Sequence, residues 1–393
     1  MSTSASDLRV GFGVAPITPD VPVFLAGFSA RSQAAEGVHD ELEARAISVA
    51  RGGQRLVLIV CDLLGMSPDV ALDVRGAVAT ALGLDLACIL TACTHTHTGP
   101  SVLRGGEALG WPTPERYVQY LIDGCVAAAT EAVAATEPAD LFCARRALPT
   151  DLSINRRSLP YDPTFAVLDA RRPDGSRVGT LANVGIHPVA LGVQCLKVST
   201  DWVGPFRNAL SAVTGGGAVL LQGALGDVNP VEPHHHDELG DYHHAHHIGV
   251  GVADAVLAVL DDLEPVTGSI GEAISRTFQA PTGPTPLSLL AGVTGDLEVE
   301  LVEWDLGSVR LVSVPGEAFH ELGNELARSR AAEVLLAGLS PAWQGYLPVP
   351  WAAGLGDQYE ETVSYGEAFV ATVREHLLRD PFRPHAEPRG PGT

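Results

Sequence analysis

The chain of 393 residues is 46% hydrophobic and 18% charged, which supplies a large buried core and argues against disorder. A formal charge of -22 argues against nucleic acid and anionic membrane surfaces as partners, and suits a protein that holds cations or handles small molecules. There is neither an apolar run of about 18 residues nor a basic-then-apolar leader, so no membrane insertion is expected and the expected location is the cytoplasm. The six cysteines form no CxxC pair and read as buried free thiols.

In chain order, residues 9–15 read as a strand closed by the turn ITPDVP. Residues 44–53 and 54–62 read as two strands around Gly52-Gly53, the second apolar throughout and therefore covered on both faces. Residues 68–83 have helical spacing with a glycine stop. The buried strand 86–92 leads into the polar turn CTHTHTGP, and 114–135 reads as a long helix with proline at its start. Strands follow at 165–172, 178–187 and 218–223, the last running into GDVNP, and then a helix at 246–263. Alternation at 297–307 predicts a half-exposed strand paired with 309–314. Residues 317–333 read as a helix opening on Glu317, and 334–340 as the next strand. APTGPTP (280–286) reads as a loop, the tail from Asp380 as frayed, and no internal repeat is visible. The expected fold is one α/β domain over 1–393, ordered from about 9 to about 379, with mixed β-sheets flanked by helices.

Chemistry concentrates where predicted strands end, the usual place for α/β active sites. His95 and His97 in THTHTGP would point to opposite sides if the strand continued, one toward a metal and the other toward substrate. A surface polar turn fits the same residues. His187 ends another apolar strand, Glu317 follows a Pro-Gly stop, and Tyr346 sits in GYLPVP; each also fits a structural role. Two imidazoles and a carboxylate with an open position make a catalytic zinc site, and a phenolate is a chemically sound fourth ligand.

The order of motifs resembles the catalytic domain of the neutral/alkaline non-lysosomal ceramidases. The pieces are VGFGVAPITP, GVHDELEARA, VLIVCDLLG, THTHTGP, NRR, IHP with STDWVG, GALGDVNP, VPGEAFHELG and GYLPVP followed by QYE, over about residues 9 to 370. The resemblance implies an α/β catalytic domain of mixed sheets and one zinc ion per chain held by His95, His187, Glu317 and Tyr346. It implies His97 as the substrate-side histidine, Arg156 of NRR holding a carbonyl or carboxylate oxygen, and Tyr359 of QYE helping an oxyanion. Two departures stand out. Asn229 occupies the place of the family's serine and has no hydroxyl nucleophile. The second is that no C-terminal immunoglobulin-like domain of the family's kind is expected after the catalytic domain.

The reading that follows is a zinc-dependent hydrolase. It would cleave an amide or ester bond of a small or medium acylated molecule with a metal-activated water. Ceramide itself is not expected, and a more polar substrate is. His97 would shuttle the proton, Asn229 orient substrate, and Asp227 brace the loop or a ligand histidine. Iron, manganese or cobalt also suit these donors. Two rivals are a metal enzyme that forms or cyclises amides and a noncatalytic metal- or ligand-binding protein. The His-rich segment 234–247 reads as a flexible polar loop near the site mouth, and a homo-oligomer is compatible with the sequence.

Overall fold

The computed structural model describes residues 7–231, 238–352 and 359–382. The frayed tail expected at the C-terminus falls, from residue 383 on, outside the described residues.

Strand β1 (Arg9–Pro16) pairs antiparallel with β2 (Glu43–Arg51), and β2 with β3 (Gln54–Cys61). The β2–β3 turn puts Gly52 and Gly53 at φ 57° and 86°, a conformation glycine adopts without a Cβ clash. The chain then crosses through helix α1 (Pro68–Leu82) to β4 (Ile89–Cys93), which lies parallel to β3. Proline in its first turn and Gly83 at φ 65° delimit α1. Helix α2 (Tyr117–Ala134) covers the same sheet; it starts after Arg116, later than Pro114 suggested.

The same connection recurs twice among the described residues. Strands β5 (Asp140–Ala147), β6 (Thr164–Arg171) and β7 (Arg177–Val184) form an antiparallel meander. Helix α3 (Val203–Thr214) then leads to β8 (Gly217–Gln222), parallel to β7, and helix α4 (Glu238–Leu257) packs on α3. Strands β9 (Ala273–Ala280), β10 (Leu297–Asp305) and β11 (Val309–Val314) form the third meander. The short helix α5 (Pro286–Leu290) sits between β9 and β10. Helix α6 (His320–Arg328) leads from β11 to β12 (Glu333–Gly338), parallel to β11, and α7 (Glu367–Leu378) joins α6. The chain thus repeats a topology that its sequence does not repeat.

The mixed sheets flanked by helices match the expected α/β class. One face of each sheet contributes to a shared core that includes Leu58, Leu90, Leu168, Leu221, Leu311 and Leu335. Helices bury the opposite faces, which explains why β3 and β8 are apolar on both sides. The parallel edge strands β4, β8 and β12 meet one another. Side chains lace them together: Asn183 donates to the carbonyls of Leu221 (2.9 Å) and Leu336 (2.8 Å), and Thr91 donates to that of Pro341 (2.8 Å). No described helix is long and apolar enough to cross a membrane.

Two sequence expectations are corrected. The helix expected from Glu317 begins at His320, because Phe319 is extended and Asp227 Oδ1 accepts the His320 N–H at 2.7 Å. Glu317 and Ala318 instead form a two-residue strand parallel to Tyr346–Leu347, with Glu317 in register with Tyr346. The His-rich segment is helical from Glu238, so His243, His244, His246 and His247 lie on α4. His234, His235 and His236 lie outside the described residues.

Candidate metal centre

The residues singled out above leave their strands at one rim. His95 and His97 follow β4, His187 follows β7, Asp227 and Asn229 follow β8, Glu317 follows β11 and Tyr346 follows β12. The strand before the histidines stops at Cys93, and His95 takes φ 69°. That left-handed turn ends the strand alternation, so both histidines line one pocket instead of opposite sides.

His187 Nε2 lies 3.1 Å from Glu317 Oε2, and His95 Nε2 lies 3.3 Å from the same oxygen. The Tyr346 hydroxyl is 3.3 Å from His187 Nε2. Donors about 2.0–2.1 Å from one tetrahedral ion stand about 3.3 Å from each other, and these three separations are of that size. All four are buried. His97 stands beside them: ring nitrogens of His95, His97 and His187 all lie within 4.8 Å of one another. Among the described residues, His95 Nε2 and both nitrogens of His97 are buried without a hydrogen-bond partner. Buried imidazole nitrogens without partners are costly unless something coordinates them, and this donor set fits zinc.

Surrounding groups fix which nitrogen faces inward. His95 Nδ1 bonds the Leu64 carbonyl at 2.6 Å, and His187 Nδ1 the Val228 carbonyl at 3.0 Å. Each Nδ1 must carry the proton, leaving Nε2 as the free donor. Trp202 Nε1 donates to the His187 carbonyl at 3.1 Å. Gln222 Nε2 donates to the carbonyls of Thr94 (2.8 Å) and Ile186 (3.0 Å), clasping the two histidine turns. Trp343 Nε1 donates to Glu317 Oε1 at 2.8 Å. None of Trp202, Gln222 and Trp343 stood out in the sequence, because a lone tryptophan or glutamine in an apolar run has no pattern of its own.

Burial pushes His187 down to about 4, helped by the charges of His95 and Arg156 and opposed by Glu317. Burial likewise puts His97 well below the usual imidazole range, with His95 and His187 adding to it. Burial works to raise Glu317, but the two imidazoles reverse this and hold it well below the usual carboxylate range. The neutral form of His187 and the ionised form of Glu317 are the ones a cation requires. Burial raises the Tyr346 phenol well above its ordinary value, Glu317 adds to this and Arg156 opposes it.

The other expected site residues separate. Tyr359 lines the pocket, 48% exposed, with its ring 6.0 Å from that of Tyr346. Arg156 does not line it: the guanidinium donates to the Tyr346 hydroxyl at 3.2 Å, to the Gly226 carbonyl at 2.8 Å and to Glu360 at 2.9 Å. Asp227 holds the Asn155 amide at 2.6 Å and the first N–H of α6, so it braces the loop. The brace on His187 is the neighbouring Val228 carbonyl. Asn229 also stands outside the pocket wall, and its amide oxygen is buried without a partner among the described residues.

The pocket, about 230 Å³, is lined in part by His95, His97 and Glu317. Leu103, Leu109, Trp111, Leu287, Leu290 and Trp343 give it predominantly apolar walls.

Residues 8–206 match the family model of the neutral/alkaline non-lysosomal ceramidases, N-terminal. Among solved structures, the chain is similar to neutral ceramidase from Pseudomonas aeruginosa, with a TM-score of 0.81 and 20% identity over 95% of this chain and 74% of that one. A ceramidase complexed with C2 matches with the same TM-score, identity and coverage. A search of curated proteins gives no match.

Proposed function

Because this chain belongs to the neutral/alkaline non-lysosomal ceramidase family, we propose that it is a zinc-dependent hydrolase that cleaves the amide (or ester) bond of a molecule with an apolar acyl chain. The observation that carries this reading is the ligand spacing of four buried side chains beside a pocket with apolar walls. His95, His187, Glu317 and Tyr346 would hold the ion. When bound, zinc supplies Lewis-acid polarisation of an acyl carbonyl and acidifies water toward neutral pKa.

The chain's own groups do the rest. The apolar wall of Leu103, Leu109, Trp111 and Leu290 takes the acyl chain and excludes water around the scissile bond. His97 is held neutral by burial, and its Nδ1 packs against Gly27. It accepts the proton at Nε2 and returns it to the leaving group. Tyr359 at the wall donates to the negative charge that develops on the carbonyl oxygen. Arg156 acts on Tyr346: its positive charge 3.2 Å from the hydroxyl favours the phenolate. Asn229 lacks the chemistry of the family's serine, so attack by water, not by a side-chain hydroxyl, fits this chain.

The test joins metal analysis with a screen of N-acyl compounds of graded chain length. The protein as purified should carry about one zinc per chain. His187→Ala should lose zinc and hydrolysis together. Full activity after chelation and metal-free dialysis would overturn the reading. Running the screen in both directions separates hydrolysis from amide formation.

A further inference from the structure

We infer that Trp343 is a positioning residue of the metal centre: its indole N–H ties one oxygen of Glu317 so that a single oxygen faces the ligand imidazoles. This rests on the zinc reading above. Glu317 Oε1 accepts the indole N–H at 2.8 Å, while Oε2 stands 3.1 Å from His187 Nε2 and 3.3 Å from His95 Nε2. The two oxygens of one buried carboxylate are thereby divided between a neutral donor and the ligand cluster. With Oε1 occupied, Glu317 would ligate through one oxygen and leave a position for a reacting group. Without the indole, Oε1 loses its donor in a buried setting, and the carboxylate is free to rotate.

The indole itself is held from several sides. The Trp343 backbone N–H donates to the Met66 carbonyl at 2.8 Å, which fixes the chain that carries the ring. A Cβ on Gly65 would fall 2.8 Å from Trp343 Cβ and 3.1 Å from Cγ, so Gly65 makes room for the indole. The ring packs between the core under the first sheet, that of the third sheet and the small cluster around Leu64, Leu103 and Trp111. It also forms part of the apolar pocket wall. One side chain therefore fixes the ligand carboxylate and shapes the space above it.

The experiment measures zinc affinity by competition with a chelator, with thermal melting as the check on folding. Trp343→Phe keeps the aromatic wall and removes the N–H; zinc should bind about 10–100-fold more weakly. Trp304→Phe is the control. Trp304 is buried and its indole donates to the Ala87 carbonyl at 2.9 Å, outside the site. Its affinity should equal that of the unmodified protein. If Trp343→Phe does not fold, Gly65→Ala decides: its Cβ displaces the indole and should weaken zinc in the same direction. Unchanged affinity in a folded Trp343→Phe, or in Gly65→Ala if that variant decides, overturns the positioning role and leaves the zinc reading intact. If the unmodified protein takes no zinc, the zinc reading falls and the role falls with it.

Discussion

Gly27 has φ 105°, and a Cβ there would come within 2.4 Å of His97 Cγ and 2.5 Å of Nδ1. Opposite it, Arg31 donates to the His97 carbonyl at 2.8 Å. Among the described residues, His97 is thus held by backbone and a buried cation, not by a bond to its ring. Gly27→Ala should displace the imidazole while His95, His187 and Glu317 stay in place. The expected result is a fall in kcat of about 100-fold with zinc content unchanged, read by steady-state kinetics and elemental analysis. Asp201 behaves differently. Burial pushes its carboxyl up to about 6, although the N–H groups of Leu191, Trp202 and Ala190 oppose the rise. Its ordinary value is 3.8, so between about 4 and 6 the folded state holds the extra proton. Stability from this group therefore falls as pH rises through that window and is flat above it. Melting curves of Asp201→Asn should lack that part of the slope.

Between strand ends, single side chains set the spacing of the site. Gln222→Leu would strand the carbonyls of Thr94 and Ile186 in a dry setting, at about 1–3 kcal/mol each, and should lower both the melting temperature and zinc affinity. Asp227→Ala removes the cap of α6 and the link to Asn155, costing about 1–2 kcal/mol. Strands β3 and β8 were legible in the sequence because each carries an apolar run, residues 56–61 and 218–221. The start of α6 was not, because its cap comes from Asp227, far away in the chain. His243 and His244 read as loop because tertiary packing, not composition, makes that part of α4 helical. The ligand candidates were legible as polar residues at strand ends. Their partners Trp343, Gln222 and Trp202 were not, since what identifies them is a contact across more than one sheet.

At the scale of the molecule, the apolar pocket argues against the polar substrate expected from the sequence. Each added methylene of an acyl chain should raise kcat/KM about fourfold until the walls are filled, then have no further effect. A series of N-acyl compounds of one head group measures this; a flat series would show that the walls do not hold the chain. The net charge of -22 predicts no gain in activity on anionic vesicles over neutral ones.

The meeting of three separate sheet edges at one rim bears on how the protein is made. His95 and His187 come from the first two sheets, whereas Glu317 and Tyr346 come from the third. A nascent chain that has left the ribosome only as far as β11 carries both imidazoles but neither the carboxylate nor the phenol. On the proposed four-ligand set, tight zinc capture waits for late synthesis, so truncated translation products should be purified metal-poor even where their first two sheets have formed.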